Sequence, residues 1–534
     1  MKIKRCFNVT EEEKMAQTVN LDALIPREDF DNKEDTNGIP RNVSTLSITD
    51  LKYDSFFFAN LRKPDFQRET NEWDPDKVVS LVESFIDQQL IPAIILWRNA
   101  NSSTFVIDGS HRLSALAAWV NDDYGDGKIS KDFYDGRIPD EEIEIAEKTR
   151  NLIKKKVGLF SDYELAIHHP EKVTEEIAAK AKFLGAIPLQ LQWVDGNAER
   201  AEQSFFKINQ QAVSINKTEL KLLKSRRKPS GVATRAIIRS GIGHKYWSFL
   251  AIEKQVEIQM VAKEIHSLLF EPKLTNPIKT LDLPLAGKST STQTQSLVLD
   301  FVNIVNSSKF VKEKYEANDV DGEMTVQCLK NCRKILYRIN SSNPSSLGLH
   351  PAIYLYSING RFKTTSFYAL LYFMNVLEES KGFDKFIECR ELFEELIRDY
   401  DYLIQAIVRN KRESMKAYPF VTEFYVMAVE SLLETKNVKE TVEQIKSSDK
   451  FSGILKDASL EKEEASSSTF SRAVKSAIFI KEALKNTPKC AICGGLLHKS
   501  SISIDHINRK AEGGLGNSDN AQLTHPYCNS TIKN

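Results

Sequence analysis

The residues whose types and spacing could do chemistry are concentrated near the end of the sequence. Cys490 and Cys493 are separated by two residues, and His525 and Cys528 repeat that spacing. Together these pairs supply three thiolates and one imidazole, which can close a tetrahedral zinc site. Because a unit of about 50 residues buries little apolar surface, we expect the zinc to be structural and to hold this unit together.

Polar residues between the two pairs are suited to hydrolysis of a phosphodiester. Asp505 directly precedes His506, and Asn529 directly follows the last cysteine. Such hydrolysis requires a base that activates water and a divalent cation that neutralises charge on the phosphate. We predict that His506 is the base and that Asp505 and Asn529 offer oxygen ligands to Mg²⁺ or Mn²⁺. His498 lies outside this pattern, and we expect it to be a surface or hydrogen-bonded histidine.

The terminal segment resembles the HNH endonuclease family. The resemblance is carried, in chain order, by Cys490-x2-Cys493, Ile504-Asp505-His506-Ile507, Gly513-Gly514, Asn520 with Leu523, and Cys528-Asn529. It implies a zinc-stabilised ββα-metal fold, cleavage of double-stranded DNA, and an Asn520 that fastens a loop and orients His506. Asn529 stands where a histidine is common, a variant that the family uses, and His525 stands where a fourth cysteine is more usual. The alternative is a zinc knuckle that only binds nucleic acid or protein.

A second polar cluster lies in the first half of the sequence. A predicted strand ends at Asp108 and passes through Gly109 into an apolar-periodic helix. The free amides at such a helix start attract phosphate, and nearby histidine and arginine side chains add donors. We therefore predict a phosphate site for a nucleotide or nucleic acid, with the alternative that Asp108 and Arg112 form only a structural turn and ion pair. The candidate binding residues are Gln67, Arg68, Asp108, Gly109, Ser110, His111 and Arg112.

These motifs resemble the ParB/sulfiredoxin-like superfamily, specifically the DGQHR or QR-motif domains of GmrSD-type restriction proteins and SspE-like defence proteins. The resemblance covers roughly residues 40 to 230 and includes the later run Glu202-x2-Phe205-Phe206-x-Ile208-Asn209. It implies binding of ATP, GTP or CTP, with hydrolysis left open. Ser110 replaces the usual Gln and stands at the place of the reactive Cys of sulfiredoxins. A serine hydroxyl cannot do the work of that thiol, so sulfiredoxin chemistry is disfavoured.

Several elements must position these motifs. Asp74-Pro75 is typical of a helix start, and β-rich runs at 93–97 and 104–107 flank a turn. A charged segment from about 120 to 160 indicates an insertion or long surface connection. Residues from about 231 to 450 are mostly helical in pattern, interrupted by a Pro- and Thr-rich loop at 272–295. An acidic and then serine-rich stretch at 457–468 resembles a flexible linker that would let the terminal unit move.

The expected fold class is therefore a multidomain α+β protein. The predicted domains are an N-terminal extension at 1–40, a ParB/sulfiredoxin-like α/β domain at 41–230, a helical domain at 231–456, a linker at 457–470 and an HNH domain at 471–534. At 534 residues the chain is long enough for several cores.

Composition restricts the classes of partner and compartment. Lys plus Arg and Asp plus Glu number 73 each, so DNA contacts must be local. Seven cysteines, three of them in the terminal cluster, favour a reducing compartment over a disulfide framework. Since the first 30 residues lack an apolar signal region and no apolar run is long enough for a membrane span, we expect a cytoplasmic protein without membrane contact.

The leading hypothesis is a metal-dependent DNA endonuclease regulated by the N-terminal nucleotide- or DNA-sensing domain. Its DNA substrate would be modified or phage DNA, as in antiphage restriction, and a homo-oligomer is left open. The alternative is an NTP-switched DNA-binding regulatory protein with a degenerate zinc-binding HNH module. A homing nuclease is disfavoured because we find no helix-turn-helix or arginine-rich recognition helix.

Overall fold

The computed structural model describes residues 18–28, 30, 42–65, 67, 69–99, 102–211, 217–289, 293–307, 317–456, 458 and 469–533. Contacts divide the chain into two units. The first comprises Met1–Arg226 with Ile242–Tyr246, and the second comprises Arg227–Gly241 with Trp247–Asn534. The first division falls close to the boundary predicted at residue 230. The finer division of the second unit into helical domain, linker and HNH domain remains a prediction.

A mixed six-stranded sheet forms the centre of the first unit. Its strands are β1 (Arg27–Glu28), β2 (Thr45–Leu46), β3 (Leu61–Pro64), β4 (Ile94–Arg98), β5 (Thr104–Asp108) and β6 (Leu189–Trp193). The order across the sheet is β1-β3-β5-β4-β6-β2. β5 runs parallel to β3 and antiparallel to β4, so β5 lies in the interior of the sheet. The strands predicted at 93–97 and 104–107 are thereby confirmed.

Helices cover this sheet. They are α1 (Phe56–Asn60), α2 (Pro75–Ile86), α3 (Ser110–Asn121), α4 (Lys128–Phe133), α5 (Asp140–Lys156), α6 (Phe160–His168), α7 (Glu175–Leu184), α8 (Ala198–Gln211) and α9 (Lys217–Lys224). The predicted start of α2 is confirmed, since the Asp74 side chain accepts a hydrogen bond from the Lys77 amide at 2.8 Å. α5 packs against α2. The segment predicted as an insertion or surface connection is thus largely helical and part of this unit.

Residues 18–28 depart from the predicted loose N-terminal extension. Leu21, Leu24 and Ile25 are buried in the core of the first unit. β1 pairs with β3 in parallel register. The prediction of a loosely packed arm is therefore wrong for these residues, because apolar side chains too sparse to form an element alone pack onto the sheet. The rest of the predicted extension, except for residue 30, lies outside the described residues.

The second unit is mostly helical, as the periodicity predicted. Its helices are α10 (Pro229–Ile238), α11 (Ile252–Phe270), α12 (Thr294–Val305), α13 (Glu323–Ile339), α14 (Pro351–Tyr354), α15 (Thr364–Glu379), α16 (Phe383–Glu388), α17 (Arg390–Asp399), α18 (Asp401–Lys411), α19 (Ser414–Thr435), α20 (Val438–Ser447), α21 (Ser452–Leu455) and α22 (Arg472–Lys485). α15 packs along α19, and Phe373 stacks on Phe393 with ring centroids 6.1 Å apart. No helix among the described residues is long and apolar enough to cross a membrane.

The chain ends in an antiparallel hairpin of β7 (Ser503–His506) and β8 (Ala521–Thr524), followed by a π-helical turn, Cys528–Ile532. This terminal part packs onto the helices of the second unit. The Ser501 hydroxyl lies 2.9 Å from that of Ser346, and the Asn340 amide donates to His498 Nδ1 at 2.9 Å. The expectation that a linker lets the terminal part move therefore remains a prediction, set against these contacts. The linker itself lies mostly outside the described residues.

Candidate active site and metal centre

The β7–β8 hairpin positions the predicted base and the predicted carboxylate ligand. Side chains alternate along a strand, so Asp505 is buried on one face of β7 while its neighbour Ile504 is exposed on the other. Asp505 pairs with Gln522 and His506 with Ala521 across the hairpin. The strand therefore presents an acid and a histidine on adjacent positions at its end.

The Asp505 carboxylate is held by two donors. Gln522 Nε2 and Lys533 Nζ donate to Oδ2 at 2.7 and 2.8 Å. Burial opposes ionisation, but the hydrogen bonds from Lys533 and Gln522 outweigh it and lower the pKa of Asp505. Lys533 also donates to the backbone carbonyl oxygens of His506 and Ile507. Lys533 was not among the residues predicted from the sequence, although it lies one helical turn after Asn529.

Asn520 fastens the loop between the two strands. Its Oδ1 accepts from the Asn508 amide at 2.6 Å, and its Nδ2 donates to Asn508 O at 3.1 Å and Leu515 O at 2.8 Å. A Cβ at Gly514 would come within 1.9 Å of Asn508 O, so this position requires glycine. A Cβ at Gly516 would lie 4.0 Å from His506 Nε2. The loop tied by Asn520 thus passes beside the His506 ring.

Asn529 lies in the π-helical turn beside the same strand. Its Nδ2 donates to Ser503 Oγ at 2.7 Å and to Ile504 O at 3.3 Å. These donations orient the side-chain amide and leave Oδ1 as its acceptor atom. The structure therefore brings the four predicted residues of the HNH motif to one hairpin and its following turn; these are Asp505, His506, Asn520 and Asn529.

The four predicted zinc ligands form one buried cluster. One ligand atom from each of Cys490, Cys493, His525 and Cys528 lies within 4.8 Å of the others. His525 Nδ1 lies 3.3 Å from Cys493 Sγ and 4.0 Å from Cys528 Sγ. A tetrahedral zinc ion with bonds of about 2.0–2.3 Å would space its ligand atoms by about 3.5–3.8 Å. The donor set and its spacing fit such an ion.

The protonation of His525 also fits metal binding. Its Nε2 lies 3.2 Å from Leu496 O, so Nε2 carries the proton and Nδ1 keeps its lone pair. This backbone contact is the usual partner of a metal-bound histidine. Burial, and then the charge of Arg390, lowers the pKa of His525. The ring is therefore in the neutral form that ligates a metal.

The turn from β5 into α3 forms the second candidate site. Gly109 has φ +97°, and a Cβ there would come within 2.6 Å of Ile94 Cδ1. Arg112 Nη2 donates to Asp108 Oδ2, and Nη1 donates to Pro92 O, each at 2.5 Å. The Asp108–Arg112 ion pair, which the sequence suggested as an alternative to a phosphate site, is thus present. The first amides of α3 have no acceptor within the helix, as at any helix start.

Gln67 follows β3 and His111 lies in the first turn of α3, whereas Arg68 lies outside the described residues. Gln67 is buried, its backbone oxygen accepts from Arg27, and its Oε1 has no hydrogen-bond partner among the described residues. His111 stacks on Trp73 with centroids 5.7 Å apart, and Ser110 is buried at the start of α3. Arg27 donates to the Gln67 backbone oxygen and pairs with Asp22. It was not among the predicted residues because it lies about 40 positions before Gln67 in the sequence.

Comparisons with known families agree with both motifs. Residues 49–226 match the family model described as the N-terminal domain of the GmrSD restriction endonuclease, and residues 490–534 match that of the HNH endonuclease. No curated protein and no solved structure matches the chain. The two matches confirm the predicted fusion of a GmrSD-type N-terminal domain with a C-terminal HNH endonuclease, and with it the prediction of a DNA endonuclease.

Proposed function

We propose that the HNH residues of this chain hydrolyse phosphodiester bonds of foreign DNA, and that the N-terminal domain regulates this cleavage by sensing a nucleotide or the DNA itself. The observation that carries the proposal is the arrangement of side chains at the end of β7 in the terminal hairpin. There an ionised, doubly hydrogen-bonded Asp505 directly precedes His506 in β7. The Asn529 amide, in the turn that follows β8, donates to Ser503 and Ile504 of the same strand. The match of residues 490–534 to an HNH endonuclease supports it.

In this mechanism His506 removes a proton from the attacking water, and the scissile phosphorus–oxygen bond then breaks at the leaving oxygen. Asp505 and Asn529 offer oxygens to Mg²⁺ or Mn²⁺, which supplies positive charge at the phosphate when bound. Lys533 and Gln522 keep the Asp505 carboxylate ionised and fixed. Asn520 is a positioning residue, since it shapes the loop beside His506.

We further propose zinc as the ion held by Cys490, Cys493, His525 and Cys528. All four residues are buried, and the neutral His525 ring directs Nδ1 toward the thiols. Zinc has no redox chemistry and accepts this closed set of four ligands. Its role here would be to hold together the segments that carry the hairpin.

For the N-terminal domain we propose that the start of α3 binds a nucleotide phosphate. The proposal is supported by the strand-to-helix turn at Gly109, whose φ of +97° leads the chain into α3, a helix whose first amides are not used within the helix. Because Arg112 is engaged with Asp108 and Pro92 O, the amides rather than its guanidinium would make the first contact. Titration of ATP, GTP and CTP against wild type and Gly109→Ala tests this. Binding unchanged in the variant would contradict the proposal.

Plasmid cleavage tests the nuclease. Purified wild type, His506→Ala and the surface control His169→Ala are incubated with Mg²⁺ or Mn²⁺, with and without each NTP, on unmodified and phage DNA. We expect cutting to be lost only in His506→Ala. Equal cutting by both variants would refute the base role of His506. No cutting by a folded, zinc-loaded wild type would favour an NTP-switched DNA-binding protein instead.

A further inference from the structure

A buried arginine of the helical part lies against the proposed zinc site. Arg390, the first residue of α17, is fully buried. Its Nη1 donates to Leu347 O and lies 3.1 Å from His525 Nδ1, and its Nη2 donates to Gly348 O at 3.0 Å. One side chain thus contacts a metal-ligand candidate and the loop before α14.

The partner of Arg390 reaches the other half of the zinc cluster. Glu394 Oε1 accepts from Arg390 Nε at 2.9 Å and from the Tyr354 hydroxyl at 3.1 Å. Glu394 Oε2 accepts from the backbone amide of Leu496 at 2.8 Å. Leu496 follows the Cys490–Cys493 pair and is also the residue whose oxygen accepts from His525 Nε2. The Arg390–Glu394 ion pair therefore contacts both segments of the chain that supply the ligands.

Two glycines allow this close approach. A Cβ at Gly348 would lie 2.4 Å from His525 Cδ2, and a Cβ at Gly495 would lie 2.5 Å from Arg390 Nε. Real Cβ atoms do not approach other atoms so closely. The helical part and the metal cluster are thus packed as one continuous interior rather than as two surfaces in contact.

The positive charge of Arg390 can balance the charge of a zinc ion bound by these four ligands. Three thiolates and a neutral imidazole leave a bound Zn²⁺ with one net negative charge, and a buried charge is costly unless it is paired. A metal ion would take the lone pair of His525 Nδ1. Arg390 would then keep its bonds to Leu347 O, Gly348 O and Glu394 and place its positive charge beside the metal cluster.

We propose that Arg390 is a positioning residue of the zinc site, and that the site fixes the helical segments around α14 and α17 as well as the HNH hairpin. This inference rests on the zinc ligation proposed above. It extends the role of the metal from holding a small terminal module to joining that module to the helical core. Loss of the ion would then disorder part of the helical region.

Hydrogen exchange on the wild-type chain tests whether the zinc site fixes the segments around α14 and α17. Metal analysis of the purified protein comes first, and less than one zinc per chain would refute the ligation itself. After chelation we expect faster exchange in residues 346–354 and 390–396 as well as in 490–533. Faster exchange confined to 490–533 would overturn the proposal that zinc fixes the helical segments, while leaving zinc ligation intact.

A variant pair tests Arg390 directly. Arg390→Met should weaken zinc binding by about 10- to 100-fold, as the loss of an outer partner of a metal ligand typically does. Arg390→Lys should recover part of this loss because it retains the charge. Arg398→Met is the matched control, since Arg398 is a half-exposed residue of the same helix that pairs with Asp399. If Arg390→Met does not fold, Glu394→Gln replaces it, and zinc affinity equal to wild type in the folded variant would overturn the proposal.

Discussion

Replacement of Asn520 by alanine tests how the HNH loop serves catalysis. The side chain makes hydrogen bonds of 2.6, 2.8 and 3.1 Å to the backbone of Asn508 and Leu515. Each such bond contributes about 0.5–1.5 kcal/mol, and partial exposure favours the lower half of that range. The ordered loop should therefore lose about 2 kcal/mol relative to its open forms.

Since about 1.4 kcal/mol corresponds to a tenfold change, the ordered fraction of a marginally stable loop should fall by about 10- to 30-fold. We expect kcat for plasmid nicking to fall by a similar factor, because the loop passes beside the His506 ring. Zinc content and the thermal midpoint should stay unchanged, since Asn520 lies away from the buried ligands.

The assay combines single-turnover nicking with hydrogen exchange of the amides at 508–516. Ser518→Ala is the control, because Ser518 is exposed in the same loop and bonds only weakly to its neighbour Asp519 at 3.5 Å. Faster exchange at 508–516 with full nicking activity would refute the positioning role. Full protection of these amides in Asn520→Ala would refute the energetic reasoning instead.

Three other changes probe separate parts of the chain. Asn529→Ala should weaken Mn²⁺ binding and nicking about tenfold while zinc stays bound, and calorimetry that finds unaltered Mn²⁺ affinity would argue against its role as a ligand. Cys490→Ser should release zinc and unfold the terminal hairpin, whereas an unchanged zinc content would exclude the four-ligand set. Burial, opposed by Asp22, lowers the pKa of Lys63 to about 8, so between pH 8 and about 10.5 the unfolded chain binds a proton that the folded chain has lost and stability rises with pH. Lys63→Met should remove this rise in urea midpoints measured at pH 8 and 10, and an equal rise in the variant would show that another group causes it.

Local sequence signals account for the elements that carry the motifs. Asp74-Pro75 marks a helix start because a carboxylate caps free amides and proline fits the first turn. The Asp108-Gly109 turn follows from the switch between strand and helix periodicity. The placement of the HNH residues was predictable for a similar reason, since it depends on spacing along one hairpin and its following turn.

Residues whose roles depend on distant partners were not predictable. Arg390 and Glu394 look like an ordinary pair four residues apart on a helix, and nothing local distinguishes them from exposed pairs. Their burial follows from packing between α17 and a cluster that begins about 100 residues later. Likewise, Asp22 pairs with the buried Lys63 across 41 positions. Contacts between residues so far apart in the sequence can be identified only once the fold is known.

Charge distribution explains how a neutral chain can act on DNA. Lys and Arg equal Asp and Glu over all 534 residues, yet residues 471–534 contain nine Lys and Arg and only four Asp and Glu. Phosphate contacts depend on the local field because exposed charges are screened within about 8 Å at physiological salt. The basic excess therefore lies in the segment that carries Asp505 and His506. The rest of the chain can carry the balancing acidic excess without weakening the attraction of the HNH segment for DNA.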